Sequence, residues 1–466
     1  MAASTAPRRS LFHHPNYRKL WAAATISLFG TQLSLIAIPY IAAVLLKASP
    51  GEVGLLTTIE FLPFLLFTLP AGVWVDRFQK RLIMVGGDVG RAVLLLSIPV
   101  AYGLNALTMW QLYVVGFGMG MMTVLFDVAD QSYLPTILER DELIEGNSKL
   151  QISQSSAQIL GQPLGGGVVA LVNAPAALLL DAISYLGSAG LILWIRETRR
   201  RAIGAARPLD PAAAIAASEA DEAGPGEAGG VSVAVEAAAA ETEAVAQAAE
   251  APGMRSQIMD GLRYIGRHEY LANIAATTAT SNLFGNIGMA IFPVYVYREL
   301  QMSPAAVGTV GGLGGVGVLL GALIASRVQR RLGVGRTIVL TSLLFGPVNL
   351  LIPLATPSVA LLFLSAAIFF ASVNNVIYNV SQVSLRQAIT PDHFLGRMNA
   401  TMRFLVWGGI PIGSLIGAAL SEIVGVRTTI WISAILGLFA FLPVFLSKVR
   451  TIQTIPTEDP NEAAAA

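Results

Sequence analysis

A chain of 466 residues that is 54% hydrophobic and only 13% charged departs from soluble domains, which are about a quarter charged. Its net charge is +1, and the absence of cysteine excludes disulfides, iron–sulfur ligation and thiolate zinc. The four histidines, His13, His14, His268 and His393, sit beside predicted helix ends, and none falls in a metal-ligand spacing, so no metal is expected.

The apolar residues come in runs of about 20, the length that crosses a bilayer as a helix. The first 17 residues are a polar, basic tail. The first run that follows is long enough to span and holds Gln32 and Pro39, so it reads as a retained helix and not as a cleaved signal. In chain order the predicted helices 1–6 cover 18–46, 51–75, 81–103, 108–132, 146–173 and 175–196; helices 7–12 cover 269–297, 304–326, 336–355, 358–384, 396–420 and 426–447. Turn signals such as Ser49-Pro50-Gly51, Asn173-Ala174-Pro175 and Thr356-Pro357-Ser358 separate them. This gives an all-α integral membrane protein of twelve transmembrane helices in two halves, 18–197 and 256–447, with a C-terminal tail over 448–466. Between the halves, 198–255 is rich in Ala, Glu, Gly and Pro and has no aromatic residue over 203–253. Such a composition cannot offset the entropy of ordering, and a flexible linker is expected, with a short Ala-rich helix within 234–251 as the alternative.

Lys and Arg fall on alternate loops. One side carries Lys47, Arg298 and Arg427; the other carries Arg77, Lys80, Arg81, Arg140, Arg196, Arg263, Arg327, Arg330, Lys448 and others. The positive-inside rule places the basic side and both termini in the cytoplasm, with the bacterial inner membrane as the expected location. The halves also repeat. Ser49-Pro50 and Gly54 recur as Ser303-Pro304 and Gly308, and Leu28-Phe29-Gly30 recurs as Leu283-Phe284-Gly285. Parallel repeats of this kind mark transporters that bind their substrate where the repeats meet.

Three motifs carry chemistry. Gly72, Asp76, Arg77, Lys80 and Arg81 stand between helices 2 and 3 as G-x-x-x-D-R-x-x-K-R. A carboxylate among basic groups at a helix end can hold one conformational state and release another. Helix 5 carries Gly161-Gln162-Pro163-Leu164-Gly165-Gly166-Gly167. Its proline frees a backbone carbonyl and bends the helix, and its glycines admit close helix approach. Gly312-Leu313-Gly314-Gly315-Val316-Gly317 matches G-x-G-x-x-G, but it lies inside a spanning helix with no preceding strand and reads as helix packing. No G-x-x-x-x-G-K-[ST] is present, so no nucleotide is expected as partner.

The first motif resembles the signature of the major facilitator superfamily. The second resembles the G-P-x-x-G-G element of its proton-coupled drug antiporters, with Gln162 in place of the glycine before the proline and Gly161, Pro163, Gly166 and Gly167 in register. Asp181-Ala182-Ile183-Ser184-Tyr185-Leu186, Gly396-Arg397-Met398 and Pro411-Ile412-Gly413 are similar to the bacterial branch holding macrolide-efflux and enterobactin-export proteins. The resemblance implies the major facilitator fold and export of a drug-like or siderophore-like molecule, energised by the proton gradient and without a cofactor. Uptake by proton symport, or a membrane sensor that no longer transports, are the alternatives. An enzyme is not expected, because no nucleophile–base set is present.

Charges inside spans cost about 2.5–3.5 kcal/mol each on insertion scales and are functional suspects. Asp88 and Arg91, three residues apart in helix 3, read as a structural ion pair. Asp127 and Asp130 in helix 4, with Asp181 in helix 6 in reserve, are the proton-coupling candidates. Arg403 in helix 11 completes the set. In the superfamily, helices 1, 4, 7 and 10 line the cavity; this points to Phe29, Gln32, Met122, Phe126, Asn282, Asn286, Asn375, Tyr378 and Asn379 as substrate contacts, with Gln382 beside them. The expected partners are a small amphipathic molecule and the lipid bilayer, with no nucleic acid, and the expected state is a monomer.

Overall fold

A computed structural model describes residues 11–138, 142–195 and 254–453. The sequence-derived linker 203–253 with its Ala-rich alternative, most of both tails, Arg140, and the side chains of Asp76, Arg397 and Arg403 lie outside the described residues.

Twelve helical spans are laid down in order. Span α1 is Pro15–Tyr40 continued by the π turn Ile41–Leu45; α2 is Pro50–Arg77, α3 Lys80–Gly103 and α4 Met109–Ile137. Span α5 is Leu143–Ser156, the π turn Ala157–Gly161 and Gln162–Val172; α6 is Ala174–Leu193. An amphipathic helix, Met254–Arg267, precedes α7, which joins Glu269–Met289, Phe292–Val294 and the π turn Tyr295–Glu299. Then come α8 (Pro304–Leu332), α9 (Val334–Asn349 with Leu351–Leu354), α10 (Ala360–Ala388), α11 (Asp392–Val424) and α12 (Val426–Gly437 with Leu442–Leu446). At 1.5 Å per residue, a 29-residue helix such as α4, α8 or α10 is about 43 Å long, enough for the full bilayer with its headgroups. By length and composition, ten of the twelve cross unaided. Spans α5 and α7 are the others. A π turn and a row of glutamines dilute α5, and α7 breaks near Ile291, just before Pro293.

The helices start where the sequence supplies caps. The Ser49 side chain accepts from the Glu52 N–H, and the Glu52 carboxylate accepts from the Ser49 N–H, closing a capping box ahead of Pro50. Ser303 caps α8 in the same way from its hydroxyl. The duplication is visible in the backbone itself. Lys47 and Gln301 both take a φ of 51°, and Asn173 and Gly425, which open α6 and α12, take 77° and 84°. The π turns Ile41–Leu45 and Tyr295–Glu299 are likewise in register.

Because each half has six spans, both halves begin and end on one side, and the loops around Lys47, Asn105, Gln301 and Gly425 gather on the other, remote side. Near that remote side the halves meet along two seams. Span α2 lies on α11, where a Cβ on Gly54 would come 2.7 Å from the Ala418 Cβ. Span α5 lies on α8, where a Cβ on Gly166 would come 3.1 Å from the Gly308 Cα, and the reverse holds for Gly308. Gly312 and Gly315 face Ile159 of α5, while Gly314, Gly317 and Gly321 face α10. The glycine run of α8 is therefore a two-sided packing surface.

Candidate functional site

Two polar interiors stand out, one in each half. In the first, Arg91 on α3 is 6% exposed and Asp88 is fully buried; the Arg91 Nη2 lies 2.5 Å from the Asp88 Oδ1. The guanidinium also sits 4.4 Å from the ring centroids of both Phe126 (α4) and Tyr185 (α6). A planar cation held between two ring faces is an attractive contact that strengthens as water is excluded. Tyr185 is anchored through its hydroxyl to Thr31 on α1 at 2.9 Å. Asp181 on α6, also fully buried, accepts from the hydroxyls of Ser34 and Ser184. The glycine at 30 leaves the space this needs, since a Cβ there would come 2.5 Å from the Asp181 Oδ1.

The structure enlarges the expected pairs into one network. Arg91 is ion-paired with Asp88 on its own helix, and its two ring partners place it beside α4 and α6, the helices that carry Asp127 and Asp181. Asp130 follows Asp127 three residues on along α4. The Asp127 side chain is exposed and that of Asp130 half-buried. Counting turns, Arg91 lies about 17 Å along α3 from its start, near mid-depth, and Asp181 about 10 Å along α6 from its start on the remote side.

The second interior is a cavity of about 600 Å³ within the C-terminal half, bounded by α7, α9, α10 and α11. Asn282, Asn375, Tyr378 and Asn379, four of the sequence candidates, line it together with Gln382, Phe345, Asn399, Met402 and Arg386. The amides link along α10. Gln382 Nε2 donates to Asn379 Oδ1 at 3.2 Å, and Asn379 Nδ2 donates to Asn375 Oδ1 at 3.0 Å. The Tyr378 hydroxyl is 2.7 Å from that of Thr278.

The remaining expected contacts lie elsewhere. Gln32 and Phe29 pack on α5, where a Cβ at Gly161 would meet them at 2.7 and 3.5 Å. Met122 covers Gly90, and Phe126 lies under Arg91. Asn286 donates to the Asn282 carbonyl at 2.8 Å and packs against Gly413. In the first half, the α4 face that carries Met122 and Phe126 is covered by Gly90 and Arg91 of α3.

Around the loop motif, the basic groups bind backbone carbonyls. Lys80 Nζ donates to the Ser132 carbonyl at 3.1 Å, and Arg81 donates to the carbonyls of Ile192 and Leu193 at the end of α6. A cation on the last carbonyls of a helix also complements its dipole. Arg77 is exposed, and a Cβ on Gly72 would meet nothing within 4 Å. In α5, the π turn Ala157–Gly161 immediately precedes Pro163, which has no N–H for the preceding turn. Gly161 and Gly166 are tightly packed, while a Cβ on Gly167 would meet nothing within 4 Å.

Two charged residues escaped the sequence reading. Glu60 sits in α2 against Gly116 and Gly120 of α4, about 15 Å from the remote end of the span, with no hydrogen bond or ion pair among the described residues. Arg386 closes one end of the cavity.

A family model described as Major Facilitator Superfamily matches residues 20–272 and 274–465. A protein called multidrug efflux pump Tap, from Mycobacterium tuberculosis, is 23% identical over 421 residues, 87% of each chain. An uncharacterized MFS-type transporter of Bacillus subtilis, YfiS, is 28% identical over 176 residues, 38% of this chain and 41% of that protein. Among solved structures, a bacterial homologue of the iron transporter ferroportin in an inward-facing state superposes with a TM-score of 0.66 at 14% identity, covering 94% of this chain and 99% of that one. The nucleoside transporter NupG gives 0.66 at 10% identity, covering 92% and 98%. At such identities the structures speak for the fold alone. With twelve spans in two repeated halves and a family model that covers nearly the whole chain, this protein belongs to the major facilitator superfamily and is a multi-pass membrane transporter, not an enzyme.

Proposed function

We propose that the protein exports a small amphipathic molecule, drug-like or siderophore-like, from the bacterial cytoplasm in exchange for protons. The observation that carries this reading is the pairing of a cargo-sized cavity in one half with a carboxylate network in the other. A volume of about 600 Å³ lies within the range of small-molecule sites. The basic loops define the cytoplasmic side, where both termini then lie, and the seams between the halves lie toward the periplasm. In that orientation the cavity is offered to cargo from the cytoplasm.

Each proton that crosses a potential of 100 mV releases about 2.3 kcal/mol. Sustained export needs a carboxylate that is charged in one state and neutral in the other. Asp127 and Asp130 are the candidates, because they stand three residues apart on α4, next to the Phe126 ring that Arg91 covers. Asp181, toward the periplasmic end, is the candidate for handing protons inward. The test is substrate-induced proton release in everted vesicles. Asp127→Asn or Asp130→Asn should abolish gradient-driven efflux while passive exchange of bound cargo continues. If both variants pump normally, the coupling assignment is wrong; if cargo accumulates against the proposed direction, the protein is a symporter.

A further inference from the structure

Among the described residues, Arg91 and Arg386 are the buried arginines, 6% and 7% exposed. They sit in opposite circumstances. Arg91 has Asp88 at 2.5 Å and two aromatic faces. The Arg386 guanidinium has no hydrogen bond and no ion pair among the described residues, and its Nε is wholly enclosed. Taking an unpaired cation out of water costs several kcal/mol. Helix capping does not explain it. Arg81 shows what capping looks like here, with side-chain nitrogens on the terminal carbonyls of α6, and Arg386 makes no such bond although it lies in the last turn of α10. What Arg386 does face is the cavity.

Gln382, one turn away on the same face, adds a second unmatched group. Its Nε2 is committed to Asn379, and its Oε1 is buried without a donor. The cavity wall therefore presents an unpaired guanidinium beside an unpaired carbonyl acceptor. Farther along, Phe345, Tyr378 and Met402 provide apolar surface. From Arg386 to Asn375 the wall runs about 16 Å.

We propose that this cavity takes an acidic cargo, in which a carboxylate or phosphate pairs with Arg386 and a neighbouring hydroxyl or amine donates to Gln382 Oε1. Arginine suits the task because its planar fork can hold both oxygens of such a group at once. The inference rests on the cavity being the cargo site, as proposed above, and narrows the cargo from amphipathic molecules in general to amphipathic acids. Anionic lipid offers the same phosphate chemistry, so the test must separate the two sources.

The full-length protein is purified, and the binding of matched pairs is measured by thermal shift and tryptophan fluorescence. The probes are salicylate and 3-hydroxy-2-naphthoate, each against its methyl ester, with a neutral and a cationic amphiphile alongside. The acids should bind at least tenfold more tightly than their esters, equivalent to about 1.4 kcal/mol. Arg386→Gln should erase that preference and Arg386→Lys should keep part of it, with the unliganded melting temperature held or raised in both. Loss of the Gln382 acceptor in Gln382→Leu should weaken the hydroxy acids more than salicylate methyl ether. Equal binding of acid and ester to the natural protein, or a preference that survives Arg386→Gln, overturns the assignment. So does a result in which nanodiscs containing phosphatidylglycerol, but not phosphatidylcholine alone, stabilise the protein through Arg386 and exclude the acids, which would make the ligand lipid. If neutral or cationic amphiphiles bind and acids do not, this inference falls and the export reading stands. If no amphiphile binds or is moved, both fall.

Discussion

Arg298, in the second half, donates from Nε to the carbonyl oxygen of Ala43, in the first, at 2.6 Å. The bond exists because Ala43 lies in a π turn: the closing bonds, Leu46 N–H to Ile41 and Ala48 N–H to Ala42, pass it by. A second bond crosses nearby, from the Gly51 N–H to Glu422 Oε1 at 2.7 Å. Both must break if the remote side is to open. A charged partner makes such a bond worth about 1.5–3 kcal/mol. Arg298→Ala should therefore shift the equilibrium toward the state open on that side by about tenfold or more. The chain has no cysteine, so spin labels at Ala106→Cys and Ser358→Cys, on loops of the two halves, can read the opening as a longer distance. An unchanged distance distribution would show that these bonds do not hold that side shut.

The α5–α8 seam predicts the opposite shift. A side chain at Gly166 or Gly308 would collide with backbone of the other half, which cannot move aside as a flexible side chain can. Gly308→Val should keep the halves from closing on the remote side, with transport lost and insertion normal. Gly167→Val, which meets nothing, is the control that should transport like the natural protein. Equal activity of all three chains would remove the seam from the mechanism.

Removing Arg91 leaves its carboxylates uncompensated. Arg91→Ala should destabilise the protein by about 3–5 kcal/mol, seen as a marked fall in melting temperature in detergent. Adding Asp88→Asn to that background should recover part of the loss, because the partner left without compensation at 2.5 Å is then neutral. Simple additivity of the two changes would contradict the network.

Glu60 carries the reverse expectation. Its carboxylate has no partner among the described residues, so Glu60→Gln should leave the melting temperature unchanged or raise it at pH 8. A clear fall would mean that the charge is paired in a state populated in solution.

The span pattern was legible in the sequence because bilayer thickness forces each apolar run to one length. The repeat was legible too, and its marks at Ser49 and Ser303 became equivalent caps. What escaped had physical reasons. Helix α10 outlasts its apolar run, ending at Ala388 and not near residue 384, so Arg386 lies beyond the predicted span. Glu60 has no opposite charge three or four residues away on α2, and no spacing marked it. The cavity face was read alike in both halves, yet Phe29, Gln32, Met122 and Phe126 pack against α5 and α3 and around Arg91. Composition along one helix does not reveal that a neighbour has already filled the space in front of it.

That filling follows the duplication. Counted through the repeat, the place of Asp88 is taken by Ser342, that of Arg91 by Phe345 and that of Asp181 by Ser433. Ser433 rests on Gly288 just as Asp181 is held by Ser34, with a hydroxyl where the first half has a carboxylate. The two copies have thus divided their labour. Groups with no shared partners respond to substitution independently, so the proposed cargo pocket can be recarved by exchanges at Phe345, Asn375 or Met402 while the charge balance across the other half is left alone. On the proposed reading, a lineage of such chains can change what it carries without relearning how to be driven.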